Sequence, residues 1–281
     1  MRDAGRSRPM LRNAESNMLK PGPADNPICY LQPRRRVLSA WIEHVPFGMY
    51  MIDLLRPASI VELGTRNGVS YSAFCQAVHR LGLEAHCVAV DSWHGDAHTG
   101  SYGPTVLQDL RRHHDPLYGG FSQLLQTTFD EAAATVPDGS VDLLHIDGFH
   151  AFEAARHDLE TWLPKLGARG DVMLHDVAER GRGFGVWRFW EHISHRYPSF
   201  AFRHGHGLGI VGVGPDVPAS VRALLDMPEH EAAQVRRFFH QQGRRVAFGV
   251  TVDVAIRLPL RLVAAIASSM RRPALDTARG G

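Results

Sequence analysis

Apolar and polar positions along this chain alternate between short apolar runs and longer amphipathic stretches. Residues 37–55 place Leu38, Trp41, Ile42, Val45, Met49, Ile52 and Leu55 at helical spacing, with a break expected at Pro46. Arg56-Pro57 ends that pattern. Residues 59–64 form a short apolar run entering a Gly turn, and 71–81 read as a helix. The order then repeats, with strands expected at 85–90, 122–127, 141–146 and 171–174 and helices at 129–135, 151–166 and 184–197. Two last apolar runs, 200–203 and 208–213, flank Gly205-His206-Gly207 and predict an antiparallel hairpin. Residues 92–118 read as a long loop, a length that is often functional in a compact domain. Strands alternating with helices predict an α/β fold. The expected form is a Rossmann-like, doubly wound, mostly parallel sheet in a three-layer sandwich, with the hairpin as its C-terminal antiparallel edge.

Length and charge refine this picture. The chain has 281 residues, enough for one large α/β domain with a buried core. The formal net charge of +2 conceals an uneven distribution. Residues 1–36 carry eight basic and three acidic side chains, and residues 232–281 carry nine and two, so the stretch between them is acidic. Three parts are expected: a disordered basic segment over 1–36, a domain bearing the chemistry over 37–214, and a basic helical extension over 215–281.

Three cysteines, Cys29, Cys75 and Cys87, form no C-x-x-C pair. That argues against a disulfide framework and for a reducing, cytoplasmic compartment. The polar, Arg-rich N-terminus lacks the apolar core of a secretory signal. The apolar stretch 246–270 is interrupted by Asp253, Arg257, Pro259 and Arg261, which weighs against a membrane span. Within 251–272, Val252, Ala255, Ile256, Leu260, Val263 and Ile266 are spaced for one helix face, with Arg257, Arg261, Arg271 and Arg272 available for the other. Such a helix suits peripheral contact with anionic lipid at the inner face of the membrane. It equally suits packing on its own domain or between copies in a homo-oligomer. The basic ends lack interleaved aromatics and flank an acidic middle, which disfavours nucleic acid as a partner.

Candidate chemistry collects where the expected strands end, the edge at which open α/β sheets bind ligands. The first strand leads into Glu62-Leu63-Gly64, then Asn67-Gly68-Val69-Ser70. Its two glycines let backbone approach a ligand and deliver it to a helix N-terminus. The third glycine of a dinucleotide fingerprint is missing, which disfavours a nicotinamide dehydrogenase. Asp91 ends the second strand, where an acid takes ribose hydroxyls. Ser92 and Trp93 follow, with Trp93 placed to cover an aromatic base. Asp147-Gly148-Phe149-His150 follows the fourth strand, and His175-Asp176 ends the fifth.

With these residues the chain resembles a class I S-adenosylmethionine-dependent methyltransferase. The particular group carries Ile146-Asp147-Gly148-Phe149-His150 and, roughly 25 residues on, His175-Asp176. It is similar to the metal-dependent sugar O-methyltransferases of macrolide biosynthesis and to cephalosporin hydroxylase-like proteins. The resemblance covers roughly 40–214. It implies S-adenosylmethionine as cofactor, with Glu62 and Gly64 shaping its methionine end, Asn67, Gly68 and Ser70 approaching it, Asp91 on the ribose with Ser92 and Trp93 beside it, and Thr128 beside the adenine. It also implies a divalent cation, Mg²⁺, Mn²⁺ or another, on Asp147 and Asp176. His175 stands where the pattern has an acid, a departure that favours softer metals or leaves the site without one. His150 is placed as general base beside Asp147.

Plainer readings stand beside these. Glu62 and the glycines also suit a tight strand-to-helix turn, and His150 a helix cap. His145, between apolar neighbours, reads as a buried, hydrogen-bonded histidine, and Trp187, Phe189 and Trp190 as core or lid packing. The expected function is O-methylation of a sugar or other polyhydroxy acceptor, small molecule or glycan. The alternative is a non-catalytic module of the same fold that binds a ligand or a partner.

Overall fold

The computed structural model describes residues 22–270 apart from 97, 99 and 182, with side chains followed to residue 257. Three short 3-10 turns, Pro23–Asp25, Pro27–Tyr30 and Ala40–His44, lead into α1 (Val45–Leu55). The chain continues through β1 (Ser59–Leu63), α2 (Val69–Leu81), β2 (His86–Asp91), β3 (Gly95–Asp96), β4 (Gly100–Ser101), α3 (Thr105–Tyr118) and β5 (Ser122–Gln126). Then come α4 (Phe129–Thr135), β6 (Val141–Ile146), α5 (Phe152–Trp162), β7 (Leu166–His175), α6 (Val186–Ser194), β8 (Ser199–Phe202), β9 (Leu208–Gly212), α7 (Ala219–Leu225) and α8 (Glu229–Met270).

Seven strands form one sheet in the order β5-β2-β1-β6-β7-β9-β8, and β3 with β4 makes a separate two-stranded ribbon. From β5 to β7 all pairings are parallel, while β9 runs antiparallel to both β7 and β8. This is the Rossmann-like sheet with an antiparallel closing hairpin. Neighbouring residues of a strand point to opposite faces. Ile60, Leu143 and Met173 join one apolar cluster, and Val61, Leu144 and Leu174 the other. Helices cover both clusters: α1, α2 and α8 supply the first and α5 with α6 the second. The chain order reverses between β1 and β6, so their carboxyl ends open the crevice in which such sheets take ligands.

Three expectations change. Order does not begin near residue 37. Ile28 and Cys29 are already buried, the Asn26 amide donates to Asp53, and Arg35 donates to the Asn67 carbonyl and pairs with Asp109 at 2.8 Å. Gln76 ties the same strap at Gln32 and Arg34. A short apolar run was enough to anchor a segment whose average composition is polar. Second, 92–118 is not a loop throughout, because α3 occupies its second half. Leu107, Leu110, His114 and Tyr118 form the buried stripe of α3, and Pro116 is accommodated within it. Third, β7 starts at Leu166, earlier than the strand expected at 171–174. The disorder expected of 1–21, the residues beyond 270, including Arg271 and Arg272, and the side-chain faces expected of Leu260, Arg261, Val263 and Ile266 lie outside the described residues. The first half of α8 packs on the domain through Ala232, Val235, Phe239, Val246 and Val250.

Candidate active site

The turn after β1 is built by glycine. Gly64 has φ +87°, and a Cβ there would stand 2.1 Å from the Asp147 carbonyl oxygen. Only glycine therefore lets the ends of β1 and β6 come this close. Gly68, at φ +71°, is the N-cap of α2 and offers no side chain to its first amides. Those amides and the positive end of the helix face the crevice, an arrangement suited to an anionic group. Asp91 closes this end. Its carboxylate accepts from the Arg66 amide at 2.7 Å and the Trp93 amide at 2.6 Å. Burial raises its pKa above the ordinary carboxylate range against the pull of those amides.

A second group lies at the ends of β6 and β7. One oxygen or nitrogen from each of Asp147, His175 and Asp176 falls within 4.8 Å of the others. His175 Nδ1 is 3.2 Å from both Asp147 Oδ1 and Asp176 Oδ2, and His150 Nε2 is 2.9 Å from Asp176 Oδ2. Asp176 adopts φ +63°, a conformation uncommon outside glycine and frequent at functional sites. Burial disfavours charge throughout this cluster, yet the two imidazoles and two carboxylates hold each other ionised. Burial opposes the Asp147 charge, but His175 and His150 bring its pKa down to about 2. Burial would lower His150, but its bonds to Asp147 and Asp176 carry it up to about 9. His175 is likewise raised, by Asp147 and Asp176 against its burial, and Asp176 is lowered by His175 and His150 against its own.

The donors fit a divalent ion. The His175 Nε2 lies 3.0 Å from the Gly205 carbonyl and keeps its proton there, while Nδ1 faces the carboxylates, where loss of its own proton would free a lone pair for a cation. A ligating imidazole is ordinarily oriented in this way. Two carboxylates and one imidazole suit Mn²⁺, Fe²⁺ or Zn²⁺ better than Mg²⁺.

One cavity of about 600 Å³ joins the two groups, a size suited to a cofactor together with part of an acceptor. Gly64, Asn67, Gly68, Ser70, Asp91, Ser92, Thr128, Asp147, His150, His175 and Asp176 all line it. The sheet and this crevice set the chain beside known proteins. Residues 61–177 match a family model described as a methyltransferase domain. Over those residues the chain is similar to a methyltransferase domain. The protein y4gI of Sinorhizobium fredii is 45% identical over 186 residues, covering 66% of this chain, and the chain spans only 20% of that relative's length. Among solved structures, the O-methyltransferase TomG from Streptomyces achromogenes, in complex with SAM, is 14% identical. It covers 65% of this chain and 83% of its own, with a TM-score of 0.46. Cofactor-bound Rv0187 from MTB is also 14% identical, covering 65% and 83%, with a TM-score of 0.48.

Two expected cofactor contacts do not reach this cavity. Glu62 is fully buried behind the turn, where it faces His145 Nδ1 at 2.8 Å. Trp93 is 1% exposed and packs in the core, and its indole donates to the Arg66 carbonyl at 3.0 Å. The positive φ of Trp93 turns the chain immediately after Asp91, and the ring goes inward rather than over a base. Thr128 reaches the wall, but its hydroxyl is engaged in a capping box with Glu131 at the start of α4. His145 is the buried histidine expected: the Trp41 indole donates to its Nε2 at 3.2 Å. Phe189 is buried and Trp190 packs beside it, while Trp187 donates to the Phe184 carbonyl.

Several lining residues were not anticipated. Leu38 to Trp41 bring the N-terminal strap to the rim, and Arg66, Phe149, Phe184 and His206 complete the wall. Phe149, His98, Phe184 and His150 stack in succession, with ring centroids 4.5, 4.8 and 4.3 Å apart. The aromatic residues carried no spacing signal, because they come from three separate connections.

Proposed function

We propose that this domain moves a methyl group from S-adenosylmethionine to a hydroxyl of a sugar or other polyhydroxy acceptor. The observation that carries the reading is the single cavity. One end has a glycine turn, a free helix N-terminus and a buried carboxylate, and the other has His150 with the Asp147, His175 and Asp176 donor set. The first end suits the cofactor: the α2 amides face its methionine carboxylate, and Asp91 faces its ribose hydroxyls. The second end suits the acceptor. A divalent cation bound there would lower the pKa of an acceptor hydroxyl.

The residues of the chain then divide the work. Asp147, His175 and Asp176 would hold the cation, and His150 Nε2 receives the hydroxyl proton. The Phe149, His98 and Phe184 rings line the acceptor side and exclude water from the oxygen being methylated. The acceptor oxygen forms a bond to the methyl carbon as the sulfur–carbon bond breaks, so the sulfonium becomes a neutral thioether and the enzyme supplies mainly alignment. Titration calorimetry tests the cofactor: S-adenosylmethionine should bind and NAD should not. Methyl transfer to a panel of glycosides, with and without chelator, tests the acceptor and the cation. Binding of the cofactor with no transfer to any polyhydroxy acceptor would favour a binding module instead.

We propose further that the outer face of α8 meets an anionic membrane surface. Phe248 is 72% exposed and Ile256 60%, with Val252 between them at helical spacing and Arg244 and Arg245 exposed nearby. Among the described residues no helix is long and apolar enough to cross a membrane.

A further inference from the structure

We propose that His44 is a positioning residue of the donor set, acting on His175 through the Gly205 carbonyl. This rests on reading Asp147, His175 and Asp176 as a cation centre. Both His44 and Gly205 lie outside residues 61–177, the stretch that matches the methyltransferase-domain model.

The Gly205 carbonyl faces two imidazoles at once, with His175 Nε2 at 3.0 Å and His44 Nε2 at 3.1 Å. A carbonyl oxygen has two lone pairs, so both rings can donate to it and both are fixed with their Nε2 protonated. For His175 that choice leaves Nδ1 toward the carboxylates. His44 is fully buried at the end of the 3-10 turn before α1, with ring contacts to Trp41, Phe202, His175 and His204. Trp41, Phe202 and His204, none of them in the donor set, hold it from the other sides. Gly205 has φ +54°, and a Cβ there would lie 2.8 Å from His44 Nε2 and 3.2 Å from the Ala40 carbonyl oxygen. The β8–β9 connection and the 3-10 turn thus interlock at this contact.

The same connection also holds Asp176. His206 Nδ1 is 3.1 Å from Asp176 Oδ1, and the Ala178 amide donates to the His206 carbonyl at 2.9 Å. Displacing the connection moves the supports of His175 and Asp176 together. His44 is the side chain from the N-terminal part of the chain that fastens it.

The test is Mn²⁺ binding to the full chain by titration calorimetry, with thermal melts as a fold control. His44→Phe keeps a ring but removes the N–H, and should weaken Mn²⁺ at least 10-fold. His44→Gln places an amide N–H near the Nε2 position and should stay within about 3-fold of the parent, whereas His44→Asn is too short to reach and should resemble the Phe variant. If the Phe variant does not fold, the Gln and Asn pair decides. Parent-like Mn²⁺ affinity in His44→Asn or His44→Phe would overturn the positioning role while leaving the cation centre standing. No Mn²⁺ binding by the parent chain, with Asp147→Asn giving the same blank trace, would remove the centre itself and this inference with it.

Discussion

Asp171 on β7 is fully buried, and burial carries its carboxyl up to about 8, with Arg222 and Arg169 only partly opposing. Between the ordinary carboxylate range and pH 8 the folded chain keeps this proton and the unfolded chain loses it. Stability is therefore lost as pH rises through that window. Asp171→Asn should remove the slope, and its gain over the parent should grow by about 3.5 kcal/mol between pH 5 and pH 8. Urea melts at the two pH values check this, and a constant difference would show that Asp171 is ionised throughout. His150 gives the opposite kind of pH dependence. Its imidazole holds a proton to about 9 beside Asp147 and Asp176, so a base at this position works better as pH rises. Turnover should climb from pH 7 toward 9, and His150→Ala should lower it by roughly 10²–10⁴-fold with S-adenosylmethionine affinity unchanged. Equal turnover in the variant would take the base role away from His150.

At the scale of elements, the strand ends were the most legible part of the chain. Asp91, Asp147 and Asp176 follow apolar runs too short for helices, and all three reach one cavity because parallel strands present their carboxyl ends on one edge. What stayed hidden depended on contacts distant in sequence. Glu62 lies near the end of β1, just before the expected turn, but its register partner on β6 is His145, and the two pair in the core rather than at the cavity. The buried stripe of α3 was present as Leu107, Leu110 and Tyr118. His113, His114 and Pro116 obscured it, although His114 is buried with its Nε2 2.7 Å from the Ser122 hydroxyl. The aromatic stack assembles from the β3–β4 ribbon and the connections after β6 and β7, and no local pattern announces it. The turn after β1 makes a sharper claim. Because a Cβ at Gly64 would enter the Asp147 carbonyl, Gly64→Ala should push β1 and β6 apart. S-adenosylmethionine affinity and Mn²⁺ affinity should then fall together, since the turn borders one group and Asp147 belongs to the other. Loss of the cofactor alone, measured by calorimetry on the folded variant, would show that the contact is relieved locally.

At the scale of the whole molecule, the acidic middle of the chain contains the crevice and the basic C-terminal extension begins as a packed helix. Phe239, Val246 and Val250 fasten α8 to the domain, and Asp253 pairs with Arg36 on the N-terminal strap. The face carrying Phe248, Val252 and Ile256 turns away from that contact and stays exposed. Apolar side chains flanked by arginines gain from insertion among acyl chains and from attraction to anionic headgroups, and salt screens the second contribution but not the first. The full chain should therefore pellet with phosphatidylglycerol vesicles at low salt, less so at high salt, and hardly at all with phosphatidylcholine. Replacing Phe248 and Ile256 together by Asp should leave it in the supernatant without changing its melting curve, because neither side chain packs in the core. Pelleting that survives this double change would remove the membrane role. A concentration-dependent dimer in sedimentation velocity, lost in the same variant, would assign the face to a second copy of the chain.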